Sequence, residues 1–174
     1  LVEVPTMQDS AVRIWQRYSR FGKLVVINSG KIGRGFRICP WCGFADQAPE
    51  PEKPTGRQKR KEPPHRNPRT QRECSGPLMT RHLGHEFLTD VIEWRFGGFI
   101  PEAANIRMWR SVVYALLEGA SESLNIRRDD LDGTLYHYSS FEPPAIVLYD
   151  NVPGGAGHVH RIFENPAQVV ASAF

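Results

Sequence analysis

This 174-residue chain has no long apolar run: no stretch approaches the ~20 consecutive apolar residues that a membrane span needs. The longest candidate, Val112 to Leu117, is short and set among polar residues. No basic-then-apolar leader with a small-residue cleavage site is visible, so secretion is not expected. Cysteine is scarce at three residues, an odd number that argues against a disulfide framework and for a reduced, cytoplasmic compartment. A phosphate-binding G-x-x-x-x-G-K-[ST] loop, a dinucleotide fingerprint and a recognisable base-reading helix are also missing. The chain starts at Leu1 and stops abruptly at Phe174, and it reads as a fragment.

What is present is a globular composition, 40% hydrophobic with four Trp, and a net charge of only +3. That charge is unevenly placed. Between Arg57 and Arg72 there are seven Lys or Arg and one acid, Glu62. A local basic patch attracts polyanions whatever the overall sum.

Hydrophobic patterning predicts a mixed order of elements. Thr6 to Tyr18 is expected as a short helix, with Val12 and Trp15 on one face and Ile14 beside it. Leu24 to Asn28 reads as a buried strand, and Phe36 to Ile38 alternates and runs into Cys39. From Ala48 to Asn67 the chain is rich in Pro and charge and buries too little apolar area to offset its ordering entropy, so a mobile loop is expected. Thr89 to Phe96 alternates as a strand, with Val91, Glu93 and Arg95 on one side and Ile92, Trp94 and Phe96 on the other. The clearest helix spans Asn105, its N-cap, to Leu124, carrying Met108, Val112, Leu116, Leu117, Ala120 and Leu124 at helical spacing. Gly133 to Tyr138 and Ala145 to Tyr149 read as strands, the second apolar enough for a central position, and a helix follows from His158. The expected class is α+β: a mixed sheet packed with helices, plus a small zinc-ribbon-like lobe carrying a long basic loop. The expected divisions are 1–34 packing on the core, 35–82 for the lobe with its loop at about 48–67, and 83–174 for the core.

Cys39-Pro40-Trp41-Cys42-Gly43 is the most informative stretch. Two thiolates three residues apart in a tight turn can face one ion, and Gly43 lets the backbone close beneath them. A redox Cys-x-x-Cys should instead open a helix, whereas here the chain runs into a proline-rich loop. Structural Zn2+ takes four ligands, so Cys74 is the expected third and His65 the expected fourth, with His82 and His85 as alternatives. The plain alternative for Cys74 is a buried thiol.

Three other constellations carry chemistry. His82, His85, Glu86 and Asp90 could serve a metal-dependent nuclease or hydrolase, chiefly through His85 and Asp90, or could simply bond backbone at a strand entrance. Pro153-Gly154-Gly155-Ala156-Gly157-His158 joins a strand to a helix and could hold an anion, or could be glycine-dependent packing. His158 and His160, two apart on a helix, make a poor metal pair. The basic run, and in it Arg57, Lys59, Arg60, Lys61, Arg66 and Arg69, could track DNA phosphates or could be a solvated loop.

Taken together, FRICPWCG, HRNP followed by Cys74, LGHEFLTDV, VVYALLEGASESLNI, DDLDGTLYHY and IVLYDNVPGGAGHV resemble the MrfA-type zinc-binding domain over Gly35 to Ile162. Within that family they are most similar to the DrmB components of DISARM anti-phage defence. The resemblance implies a zinc-stabilised, non-catalytic accessory module that partners a helicase subunit or domain, helps engage DNA and has no membrane role. Family members commonly carry a further cysteine cluster after the PGGAGH helix, and this sequence has none there. A protein-interaction scaffold without DNA contact is the remaining alternative.

Overall fold

The computed structural model describes residues 2–3, 12–49, 64–98, 105–139 and 142–174. In chain order the strands and helices are β1 (Val2–Glu3), β2 (Val12–Asn28), β3 (Phe36–Ile38), β4 (Ala45–Gln47), β5 (His65–Arg66), β6 (Glu73–Cys74), β7 (Met79–Arg81) and β8 (Leu83–Gly98). They continue with α1 (Ile106–Leu124), β9 (Leu131–Tyr136), β10 (Ala145–Asp150), α2 (His158–Glu164) and α3 (Pro166–Ala173). The α+β class holds. The chain divides into two units, residues 1–24 with 87–174, and residues 25–86.

The larger unit is built on a five-stranded sheet in the order β1, β2, β8, β10, β9. β10 is flanked by β8 and β9, antiparallel to both, with Leu148 opposite Ile92 and Gly133. Helix α1 starts where Asn105 Oδ1 accepts a hydrogen bond from the Met108 N–H at 3.2 Å. It stops at Asn125, which takes the left-handed conformation (φ 52°) and donates its N–H to Glu122 O and closes the last turn. Trp109, Val113, Leu116, Leu117, Ala120 and Leu124 lie on its buried face. They pack with Ile92, Trp94, Ile146 and Leu148 of the sheet and Val159, Ile162 and Val169 of the terminal helices. Each such Val, Leu or Ile side chain contributes roughly 1.5–3 kcal/mol of burial.

Gly119 decides how closely α1 and α3 approach. A Cβ there would stand 2.7 Å from Val169 O and from Ala173 N, both backbone atoms that cannot turn aside. Helix propensity alone favours Gly→Ala by about 1 kcal/mol. The clash outweighs it, so Gly119→Ala is expected to destabilise the protein by roughly 1–3 kcal/mol in a denaturant melt.

Strand alternation on β8 separates two chemistries. Ile92 and Trp94 enter the core, whereas Glu93, 6% exposed, faces Arg17, Arg95 and Tyr138. Burial disfavours its charge, but hydrogen bonds from Arg95, Tyr138 and Arg17 outweigh that and hold the carboxyl below its ordinary range.

Two expectations fail here. Residues 12–18 are strand and not helix, while 6–11 lie outside the described residues. Ile14, Gln16 and Tyr18 recur with period two, and Gln16 is buried between Trp94 Nε1, which donates to it at 3.3 Å, and Phe163 O, to which it donates at 3.0 Å. Two apolar positions three apart were too few to define a period. The Leu24 to Asn28 segment is strand, as expected, but is not buried: Val25, Val26 and Ile27 are all exposed.

The smaller unit, residues 25–86, contains the sheet β4-β3-β7 and the two-stranded ribbon β5–β6. Among its described residues, Cys39 is the single buried hydrophobic side chain. Residues 50–63 of the expected mobile loop lie outside the described residues, and its last part is structured, with His65 and Arg66 forming β5.

Candidate metal centre

Strand β3 delivers the chain to Cys39, where a tight turn reverses it. The Gly43 N–H donates to Cys39 O at 3.0 Å and the Cys39 N–H to Phe44 O at 2.9 Å, so the turn is closed at both ends. Gly43 takes φ +74°, a conformation that L side chains rarely adopt. Cys39 and Cys42 are thereby held on the same side of one turn.

The second pair comes from the β5–β6 hairpin. His65 stands directly opposite Cys74 in its register, and directly opposed residues project from one face. The HRNP motif explains the reversal between them: Asn67 Oδ1 accepts from the N–H groups of Arg69 (2.9 Å) and Thr70 (3.2 Å), and Gln71 takes the left-handed conformation.

These two elements bring Cys39, Cys42, His65 and Cys74 together, with one donor atom from each all within 4.8 Å of one another. The Cys39 and Cys74 sulfurs are 4.0 Å apart, and Cys42 Sγ lies 3.2 Å from His65 Nε2. A tetrahedron with zinc–sulfur and zinc–nitrogen bonds of ordinary length has edges of about 3.5–3.8 Å, so the donor set fits zinc. Three sulfurs and one imidazole also match zinc's ligand preference, and four protein donors leave no open position. Gly76 is required beside them, since a Cβ there would meet Cys39 Sγ at 2.7 Å and the Trp41 ring at 3.1 Å.

Burial opposes ionisation of Cys39. The backbone amides of Cys42 and Trp41, with the side chains of Cys42 and His65, more than offset it and bring its pKa down to about 7. Cys42 is pushed up, by burial and by the neighbouring Cys39 and Cys74. Two thiols that share a site resist double ionisation unless a cation lies between them.

Among the described residues, no other group of three or more His, Cys, Asp or Glu side chains is arranged to hold a metal ion. His82 and His85 are not part of the cluster. His85 and Asp90 also fall in different units. Of the basic residues singled out in the sequence, Arg57, Lys59, Arg60 and Lys61 lie outside the described residues. Arg66 and Arg69 are exposed on the β5–β6 hairpin together with Arg72, whose position the basic run had included without marking it as a site.

The glycine turn after β10 resolves differently. The Asp150 carboxylate, fully buried, accepts from the N–H groups of Ala156, Gly157 (2.7 Å) and His158 (3.3 Å) through Oδ2, and from Val159 (3.0 Å) through Oδ1. The anion at the start of α2 is supplied by the chain itself.

Comparison with known proteins places part of this architecture. Residues 112–174 match the family described as MZB, the MrfA Zn-binding domain. The resemblance to the MrfA-type zinc-binding domain read from the sequence is borne out at the level of that family. The matched stretch contains no cysteine, and all four members of the Cys/His cluster precede it. The chain is 28% identical over 155 residues to the Druantia protein DruE of Escherichia coli (strain UMEA 4076-1), a match that covers 78% of this chain and 8% of DruE. It is also similar to the crystal structure of the DUF1998 helicase MrfA bound to DNA, with TM-score 0.47 and 12% identity over 99% of this chain and 19% of that one. The chain thus spans a small fraction of the proteins it matches. No helix among its described residues is long and apolar enough to cross a membrane.

Proposed function

We propose that this chain is a non-catalytic, zinc-stabilised accessory module that partners a cytoplasmic DNA helicase and helps it engage DNA in anti-phage defence. Cys39, Cys42, His65 and Cys74 are its zinc ligands in this reading. The observation that carries it is the double duty of the β5–β6 hairpin. It contributes His65 and Cys74 to the cluster and displays Arg66, Arg69 and Arg72 to solvent, with no ion pair to any of the three among the described residues. An ion at the base of the hairpin would fix the backbone that carries the three arginines, so that the hairpin itself need not be ordered when they reach phosphates. Arg57, Lys59, Arg60 and Lys61 would extend the same basic surface. Trp41, 72% exposed between Cys39 and Cys42, offers an aromatic face for an unstacked base. The MrfA-type match supports a helicase partner. The Druantia relative and the resemblance to DISARM components both support a defence role.

Replacing Arg66, Arg69 and Arg72 together by Ala is expected to weaken duplex DNA binding roughly tenfold or more. It should make the slope of log affinity against log salt shallower by about 2–3, the number of counterions no longer released when three phosphate contacts are lost. Fluorescence anisotropy across a salt series measures both. Unchanged affinity and slope would favour a protein-interaction scaffold without DNA contact.

A further inference from the structure

A second place in the larger unit has the marks of a binding site. A cleft of about 510 Å3 is lined by Tyr18, Arg20, Asp90, His160 and the glycine turn 154–157. That volume is within the range of small-ligand sites. Asp90 is only 5% exposed, and its Oδ1 has no hydrogen-bond partner among the described residues. Buried carboxylates are otherwise well satisfied, so an incomplete one in a cleft points to a donor from outside the protein. Gly155 makes room for it, because a Cβ there would meet Asp90 Cγ at 2.7 Å.

The other walls restrict what that donor can belong to. Tyr18 stands beside Asp90, and burial and the hydrogen bond with Asp90 both raise its pKa. Its ring meets His160 edge-on at 5.0 Å and has Phe163 behind it at 5.6 Å. Arg20 is exposed on the rim, with no ion pair among the described residues. His160 adds a second potential cation, with its Nδ1 3.8 Å from Glu164. The N–H groups of 156–158 are committed to Asp150, so the turn offers no anion nest. A bare anion would be repelled by Asp90. A divalent cation would find one carboxylate where it needs several oxygens, and Arg20 nearby.

We infer that this cleft receives a single nucleotide, with the N–H donors of its base on Asp90, its ring against Tyr18 and His160, and its phosphate toward Arg20. The site shares no residue with the arginine hairpin, and its nucleotide is either free or one unit of a DNA strand.

Calorimetric titration of the chain with dGMP, dTMP and deoxyguanosine, and with a single-stranded 12-mer, tests this. Guanine offers two adjacent N–H donors where thymine offers one, so dGMP is expected to bind about tenfold or more tighter than dTMP. Asp90→Asn should remove that preference at unchanged Tm. Arg20→Ala, an exposed change that spares the fold, should weaken dGMP about tenfold and leave deoxyguanosine unaffected. Saturation by dGMP identifies a free nucleotide as the ligand, and binding of the 12-mer alone that Asp90→Asn and Arg20→Ala weaken identifies a strand; either result supports the site. No binding of either at millimolar concentration, or binding that both variants leave intact, overturns it. Neither failure touches the hairpin reading, which rests on duplex affinity of the arginine variant.

Discussion

Cys39→Ser is expected to yield protein with almost no zinc, where the parent holds one ion per chain. It should also strip hydrogen-exchange protection from residues 36–47 and 64–81 while the strands and helices around Ile92 and Leu117 keep theirs. The argument comes from what the smaller unit has in place of a core. Among its described residues the buried hydrophobic side chain is Cys39 alone, while Trp41, Val25, Ile27 and Met79 are exposed. Short strands of two or three residues cannot hold themselves together without buried area. The ion is then the core, and its binding free energy becomes folding free energy. A chelator should reproduce the effect in the parent protein. So should acid, because protons compete for thiolates and imidazole. Elemental analysis that finds a full complement of zinc in Cys39→Ser would remove the cluster from the reading.

Asp150→Ala should produce the largest loss of stability in the other unit. The variant leaves four N–H groups, from Ala156 to Val159, without the acceptor they share; Asp150 and Val159 are buried, while Ala156 lies at the surface. An unsatisfied buried donor costs about 1–3 kcal/mol, and one water admitted to the cavity can recover part of that for several donors. The net expectation is about 3 kcal/mol or more, a fall in Tm of roughly 6–12 °C for a chain of this size. Asp150→Asn keeps the volume and, with its amide oxygen in the Oδ2 place, can still accept from Ala156, Gly157 and His158; its NH2 then faces the Val159 N–H and the charge is lost, so it should recover part of the loss. A melt that shifts by less than a degree in either variant would mean that α2 is held by its packing through Val159 and Ile162 alone.

Where the sequence was legible, the information was local. Asn105 followed by apolar residues at helical spacing marked α1 and its cap, though Trp109 and Val113 turned out to be more deeply buried than the neighbouring Met108 and Val112. The apolar AIVLY run marked β10 as an interior strand. The Cys-x-x-Cys-Gly turn is similarly self-contained, because its ring of hydrogen bonds runs no further than Cys39 to Phe44. Local patterns failed where few residues carried them, as in the helix expected over Thr6 to Tyr18. They also failed where burial was assumed from composition, as in Leu24 to Asn28.

The glycine turn shows the limit most clearly. Glycines ahead of a helix are equally suited to an external anion and to an internal carboxylate, and nothing within PGGAGH separates the two. Asp150 decides it from the end of the preceding strand, six to nine residues upstream of the amides it binds.

By itself, the sequence determined the α+β class, the long helix, the paired thiols of the knuckle and the basic character of the segment that follows. All of these rest on spacing within a few residues. Tertiary structure alone decided that His65 and not His82 or His85 stands beside the three sulfurs, that Gly119 sets the approach of α3, and that Asp90 is buried with an oxygen left open. Each of those depends on side chains brought together from distant parts of the chain, and one-dimensional spacing carries no record of such distances.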